Sequence, residues 1–354
     1  MKIAIITCYD QAEQHTRPRV LRKGFADCQD VEVVIVKNKH KGMRRYPETL
    51  LKILQCRLRD KPDAYVITFR GYEMLPFVLL IKGRKPLIFD EMVNAVEYLH
   101  EHKRLTPGSR WDKLFRAFYA GLLKRCRFIL TDTQAHAELS AKLCNLDISR
   151  YAAIPVGTDE SVFYPAKEIA HKGFNVFYYG VMVRLHGIEH VVDAAVELCK
   201  KYPDITFTLG GDTGKAEAAY EAAIKKGARI TYKPWYEYEE IPKYARKADL
   251  CIGGPFGDTA QAQFVITTKT FQFLATERPV LIGRNKVNGD LKDKVNSLVV
   301  RQGDTQAIVR AISWAYQHPK ELHSVAKAGR KLYESQFSKS VIRDKLNQIV
   351  QDIR

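Results

Sequence analysis

The sequence predicts an α/β protein built from two Rossmann-like, doubly wound parallel-sheet domains. Three observations carry this expectation. At 354 residues the chain exceeds the usual size of one domain, so two cores of roughly 150 to 200 residues are expected. Two stretches, 3–7 and 174–180, open alike with an apolar β-rich run, a loop and then a helical pattern. After each opener, short apolar runs recur with helical patterns between most of them, which is the signature of strand–helix–strand crossovers.

In the first half the strand candidates after the opener are 31–36, 64–69, 87–89, 128–130 and 152–154. In the second half they are 206–209, 229–231, 250–252, 280–282 and 297–300. Between them PAKEIAHKG, residues 165–173, is polar and without a strong period, so it reads as a linker. The expected organisation is therefore a first domain over 1–165, a second over 174–335, and a terminal helix over 336–354 that returns to the first domain. No 20-to-50-residue repeat and no low-complexity tract is present, which excludes a solenoid.

Composition narrows the function classes. With 46% hydrophobic and 27% charged residues the chain is an ordinary folded protein. No run approaches the roughly 18 apolar residues of a spanning helix, and the N-terminus enters strand-like sequence without a signal-peptide pattern, so a cytoplasmic location is expected. The seven cysteines are scattered without a CxxC pair and are expected to be reduced, mostly buried thiols. A net charge of +17 calls for an anionic partner: a phosphorylated ligand, an acidic membrane surface or nucleic acid. Nucleic acid ranks last, because no helix-turn-helix, zinc finger or aromatic RNA-binding motif accompanies the charge.

Two segments carry candidate chemistry. In YYGVMVRLHGIEHVVDAA, residues 178–195, a strand ends at Gly180 and a helix starts after Gly187, with Ile188, Val191, Val192, Ala195 and Leu198 on one face. Such a loop sits at the carboxyl edge of the sheet, and the helix N-terminus offers free N–H groups to an anion. Arg184 and His186 flank that position; the alternative is a tight turn with two solvated side chains. In FGDTAQAQFVITTKTFQFLATERPVLIG, residues 256–283, Thr267 or Thr268 caps a helix with Lys269 in its first turn. A Lys placed on the positive end of a helix dipole is unfavourable unless both share an anion, which makes Lys269 a phosphate candidate. Gln272, three residues on, projects from the same face and can bond a hydroxyl of the same ligand. A surface Lys and Gln are the alternative.

Together these segments resemble a family-four glycosyltransferase of the B-type fold, which implies two Rossmann-like domains facing one another across a cleft. The resemblance extends over nearly the whole chain. RPRVLRKGF at 17–25 is similar to the family's first helix, and ILTDTQAHAELSAKL with AAIPVGTDESVFYP resembles its run toward the interdomain linker. YYGVMVRLHGIE and FGDTAQAQFVITTKTFQFLATERPVLIG resemble its two donor-binding motifs, and Gln336, Phe337 and Ser338 precede the terminal helix. The resemblance implies transfer of a sugar, with retention, from a nucleotide-sugar donor to an acceptor hydroxyl of a glycan, a lipid-linked or a small molecule, as in cell-surface polysaccharide synthesis. The donor would lie against Gly180, Arg184, His186, Gly187, Lys269 and Gln272, with Arg184 and Lys269 stabilising charge on the leaving diphosphate. The donor is a substrate, and no cofactor or metal is expected.

The sequence also departs from the family pattern. Val181 and His186 stand where an Arg and a Lys commonly hold the donor diphosphate. Phe264 and Gln272 stand where two carboxylates, separated by seven residues, are usual. Gln still accepts and donates hydrogen bonds, without the charge-assisted strength of a carboxylate. These losses support an alternative function, a non-catalytic nucleotide-sugar-binding or partner subunit.

In the first domain, Asp90 and Glu91 follow a strand and are expected at its cleft end, where Asp90 is the candidate to accept the acceptor's proton; a cap or loop role is the alternative. Glu97, His100, Glu101 and His102 have a spacing that does not converge metal ligands. Two features suggest a peripheral membrane contact. One is the basic cluster Lys37, Lys39, His40, Lys41, Arg44 and Arg45. The other is the stripe Trp111, Leu114, Phe115, Phe118 and Leu122 within a basic helix, for which a core-facing role is the alternative.

Overall fold

Runs of β-branched and aliphatic residues form buried parallel strands in two separate sheets. The computed structural model describes residues 1–9, 15–69, 71–211 and 215–354. The chain divides into a first unit, Met1–Gly157 with Lys339–Arg354, and a second, Thr158–Ser338.

In the first unit the chain runs β1 (Lys2–Thr7), α1 (Thr16–Ala26), β2 (Glu32–Lys37), α2 (Arg45–Arg59), β3 (Ala64–Ile67) and α3 (Leu75–Ile81). It continues through β4 (Leu87–Asp90), α4 (Ala95–Glu101), α5 (Arg110–Leu123), β5 (Phe128–Thr131), α6 (Gln134–Cys144) and β6 (Tyr151–Ala153). The strand order is β2-β1-β3-β4-β5-β6, with every pairing parallel. Side chains alternate across a strand, so Ala4 and Ile6 face a core closed by α2 to α6, while Ile3 and Ile5 face the opposite side.

The second unit repeats the plan with β7 (Phe174–Tyr179), α7 (Ile188–Lys201), β8 (Ile205–Gly210), α8 (Lys215–Lys225), β9 (Ile230–Lys233) and α9 (Ile241–Ala245). Then follow β10 (Leu250–Ile252), α10 (Thr268–Ala275), β11 (Val280–Gly283), β12 (Leu298–Val300), α11 (Thr305–Gln317) and α12 (Pro319–Gln336). Its order is β12-β11-β10-β7-β8-β9, again all parallel. The predicted face of α7 is buried in its core, from Ile188 through Leu198.

The division falls at Gly157/Thr158, earlier than the polar stretch 165–173. Packing explains the difference. Phe163 is buried with its ring 5.2 Å from Tyr238, and Glu160 accepts a 3.0 Å bond from Tyr333, so the segment before the polar stretch already belongs to the second core. The last helix, α13 (Lys339–Asp352), lies on the first sheet's open face, where Ile342, Leu346, Ile349 and Val350 join Ile3, Ile5 and Phe25.

Candidate functional site

The second sheet is wound outward from β7, first through β8 and β9 and then through β10, β11 and β12 on the other side. The carboxyl ends of β7 and β10 therefore flank the switch point, where open α/β sheets leave a crevice for ligands. The loops that leave those two strands are laced together. Phe256 donates its N–H to the His186 carbonyl at 3.0 Å, and Gly257 donates to that of Leu185 at 3.2 Å. Glycine is required at the contact, because a Cβ on Gly257 would lie 1.8 Å from the Arg184 carbonyl oxygen. Gly187 adopts φ 60° as the N-cap of α7, and a Cβ there would lie 2.4 Å from the Gly257 nitrogen. With no side-chain cap at this position, the first N–H groups of α7 are left for an outside acceptor.

Lys269 is the residue these loops surround. It sits in the first turn of α10, is 6% exposed, and has its Nζ 3.3 Å from where a Cβ on Gly180 would be. The ammonium lies 5.3 Å from the centre of the Tyr178 ring, and no carboxylate among the described residues pairs with it. Burial alone pushes its pKa down to about 8. Thr267 is the N-cap of α10, yet its hydroxyl donates to the Gly253 carbonyl at 2.6 Å instead of capping the helix. The helix N-terminus and the buried cation thus present positive charge to the same crevice.

His186 supplies shape without charge. Its Nδ1 lies 2.8 Å from the Val181 carbonyl and 3.2 Å from the Tyr178 hydroxyl, which places the ring proton on Nδ1, toward the carbonyl. Desolvation first, and the nearby Lys269 charge second, push its pKa down to about 3, so the ring is neutral at physiological pH. Gln272 is 1% exposed on α10, and its side-chain carbonyl accepts the hydroxyl of Tyr179. Tyr178 and Tyr179 are the site residues that sequence reasoning passed over. Their signal was the aromatic pair that ends β7 beside a predicted glycine loop.

Two further predicted residues have other surroundings. Arg184 projects outward with its side chain 86% exposed and its guanidinium 3.9 Å from the Asp258 carboxylate. Asp90 does end β4, as expected, but is 1% exposed and serves Arg17. Arg17 donates Nε and Nη2 to Asp90 Oδ1 at 3.0 and 2.8 Å, and Phe69 donates its N–H to Oδ2 at 3.2 Å. The remaining guanidinium nitrogen bonds the carbonyls of Ile154 and Pro155 at 2.6 and 2.9 Å, so the pair ties β4 to the chain beyond β6. So engaged, the Asp90 carboxylate helps to hold the fold, and burial first, against the opposing Arg17 charge, pushes its pKa up. Neighbouring Glu91 is equally enclosed, accepting from Tyr119 at 2.7 Å and Ser140 at 2.5 Å. His100 is 2.7 Å from Asp112, and His102 bonds the Tyr98 carbonyl at 2.9 Å.

Residues 173–318, the span that contains this crevice, match the family Glycosyl transferases group 1. The chain has the B-type glycosyltransferase fold. Over its full length it is similar to sucrose-phosphate synthase from Thermosynechococcus elongatus, with 15% identity, a TM-score of 0.73, and coverage of 100% of this chain and 99% of that one. It is similar to Anabaena HepE in complex with UDP-glucose at 14% identity and a TM-score of 0.71, covering 99% and 100% of the two chains. A glycosyltransferase from Rickettsia africae shares 12% identity at a TM-score of 0.69, covering 99% and 98%. A comparison with curated protein sequences returns no match. The group 1 glycosyltransferase match coincides with the unit that holds Lys269, and identities this low carry the fold alone.

Proposed function

We propose that the second unit binds a nucleotide-activated sugar through its diphosphate, and that the protein transfers the sugar, with retention, to an acceptor hydroxyl of a glycan, a lipid-linked or a small molecule. The observation that carries this reading is the buried, unpaired ammonium of Lys269 at the switch point, beside Gly180 and the N-terminus of α10. An anion there restores the solvation that burial removed and cancels the clash between the Lys charge and the helix dipole. During transfer the leaving diphosphate gains charge, and Lys269 with the first N–H groups of α7 stabilises it. Arg184 contributes from the solvent side of the same loop. HepE is described in complex with UDP-glucose, which suggests a uridine diphosphate sugar as the first donor to try. The seven free, buried cysteines agree with action in the reducing cytoplasm.

Calorimetric titration of UDP and UDP-glucose tests the reading. Lys269→Met is expected to weaken binding by about 1.5 to 3 kcal/mol, the worth of a charged hydrogen bond. Unchanged affinity in both Lys269→Met and Arg184→Met would remove the site. A second reading, a non-catalytic binding subunit, is favoured by the Gln272 carbonyl being already engaged by Tyr179 and by the half-buried Phe264. It predicts donor binding without donor hydrolysis or transfer under any acceptor.

A further inference from the structure

The outer surface of the first unit carries a second functional feature, independent of the donor crevice. Helices α2, α3 and α5 lie side by side over one face of the first sheet. Each buries one stripe in that core and turns another outward. On α2 the outward stripe is Leu51, Leu54 and Leu58; on α3 it is Phe77 and Leu80; on α5 it is Trp111, Leu114 and Phe118. Leu58, Leu80 and Trp111 are 73%, 72% and 73% exposed. The stripe predicted on α5 thus divides, since Phe115 and Leu122 pack on the core while the other three members face solvent. Scattered exposed apolar residues need no explanation, but eight on three adjacent helices form a patch that does.

The charge around the patch says what covers it. α5 and the three residues after its last turn contain Arg110, Lys113, Arg116, Lys124 and Arg125, whereas the acid in α5, Asp112, is buried and paired with Arg116. At the carboxyl ends of α3 and α5 a cavity of about 440 Å³ opens, and seven of its twelve lining residues are Lys or Arg. Lys82, Arg84, Arg125, Arg127 and Arg150 are among them, with Asp352 the acid in the lining. Arg57 of α2 donates to the Ile81 carbonyl of α3, which joins the rim of this cavity to the apolar stripes. Apolar side chains flanked by arginine and lysine are what an interfacial surface presents to acidic lipid, the rings and leucines entering the acyl boundary and the cations meeting phosphates. A protein partner would need acids set against this rim and a matching apolar face, whereas a bilayer supplies both everywhere.

We infer that the first unit docks on an anionic lipid bilayer through the outward faces of α2, α3 and α5, with headgroup phosphates taken by the basic cavity at their rim. No helix among the described residues is long and apolar enough to cross the membrane, so the contact is peripheral. The test is flotation of the full chain with phosphatidylcholine vesicles made with and without phosphatidylglycerol, following the tryptophan emission of the chain and of a Trp235→Phe/Trp314→Phe variant in which Trp111 is the remaining tryptophan. The chain is expected to float with the anionic vesicles alone, with a blue shift. The Trp111→Ser/Phe118→Ser double variant should bind about tenfold more weakly, and the Arg84→Gln/Arg125→Gln variant roughly fivefold more weakly for each charge removed. All four positions are exposed at the surface, so unchanged melting of both variants is expected and checks that the fold is intact. Equal or absent binding to the two vesicle types overturns the proposal. So does anionic binding that survives Trp111→Ser/Phe118→Ser, or a dimer in sedimentation that the same pair abolishes, which would assign the patch to a second copy of the chain.

Discussion

Lys269 is charged where the fold alone gives it no reason to be, and that makes its ionisation a reporter. An unfolded chain ionises this lysine near 10.5, while in the folded chain its pKa is about 8. Below pH 8 both states hold the proton, and the folded state bears the full desolvation cost, roughly 3 kcal/mol from the size of the shift. Between about pH 8 and 10.5 the unfolded state holds the proton more often, so this cost is relieved as pH rises. Lys269→Met is therefore expected to be more stable than wild type near neutral pH in urea unfolding, with the gap closing toward pH 10. A constant gap would mean the ammonium is not desolvated. Gln272 gives a second prediction at this scale. Gln272→Leu removes the acceptor of the Tyr179 hydroxyl and should cost about 1 to 2 kcal/mol, most of it recovered when Tyr179→Phe is added. Gln272→Glu keeps an acceptor for Tyr179 and, if the position also faces a ribose, raises turnover; Gln272→Leu then loses donor affinity as well. Donor affinity equal to wild type in Gln272→Leu would show that the side chain is only a strut for β7.

At the scale of elements, the crevice exists because two loops approach within van der Waals contact through glycines. Gly187→Ala puts a methyl group 2.4 Å from the Gly257 nitrogen and holds alanine at φ 60°, so the loops must separate. The expected outcome is a loss of about 1 to 3 kcal/mol in thermal unfolding together with loss of donor affinity, while Gly289→Ala, with open space around it, changes neither. These elements also show what the sequence made legible. All twelve strands among the described residues were readable because each is a short apolar or β-branched run with no competing helical period. Gly187 was readable as the residue before a helix and Lys269 as a cation on the wrong helix end, whereas Gly257 carried no such local signal. The ion pair of Asp90 was not legible. Its partner Arg17 lies 73 positions earlier, and no local pattern shows that α1 delivers a guanidinium beneath β4. Gln272 was likewise read without Tyr179, its partner 93 positions away across the sheet. The division at Gly157/Thr158 was missed for the same reason, since the burial of Phe163 against Tyr238 is a tertiary fact that polarity of the following residues hides.

At the scale of the whole chain, each unit has a core of its own, but the first is completed by residues from the far end of the sequence. α13 is in close contact with α1: a Cβ on Gly24 would lie 2.6 Å from Leu346 Cδ1, and Lys339 pairs with Asp27 at 2.8 Å. The helix covers Ile3, Ile5, Val20 and Phe25 with Ile342, Leu346, Ile349 and Val350. Four buried aliphatic side chains contribute about 1.5 to 3 kcal/mol each. That gross sum, before the entropy of ordering the helix, is of the same order as the roughly 5 to 15 kcal/mol by which a whole domain is usually stable. The core of the second unit that is closed by α7, α8 and α11 on one side of its sheet contains no residue of α13. Removing residues 339–354 is therefore expected to unfold the first unit selectively. In hydrogen exchange, amides of β1, β3 and α1 should lose protection, while those of β7, β8 and α7 keep theirs. The truncated chain should still bind a nucleoside diphosphate at Lys269 with near wild-type affinity. Uniform loss of protection in both units would show that the two cores stand or fall together, and the assignment of the donor crevice to an autonomous second unit would fail.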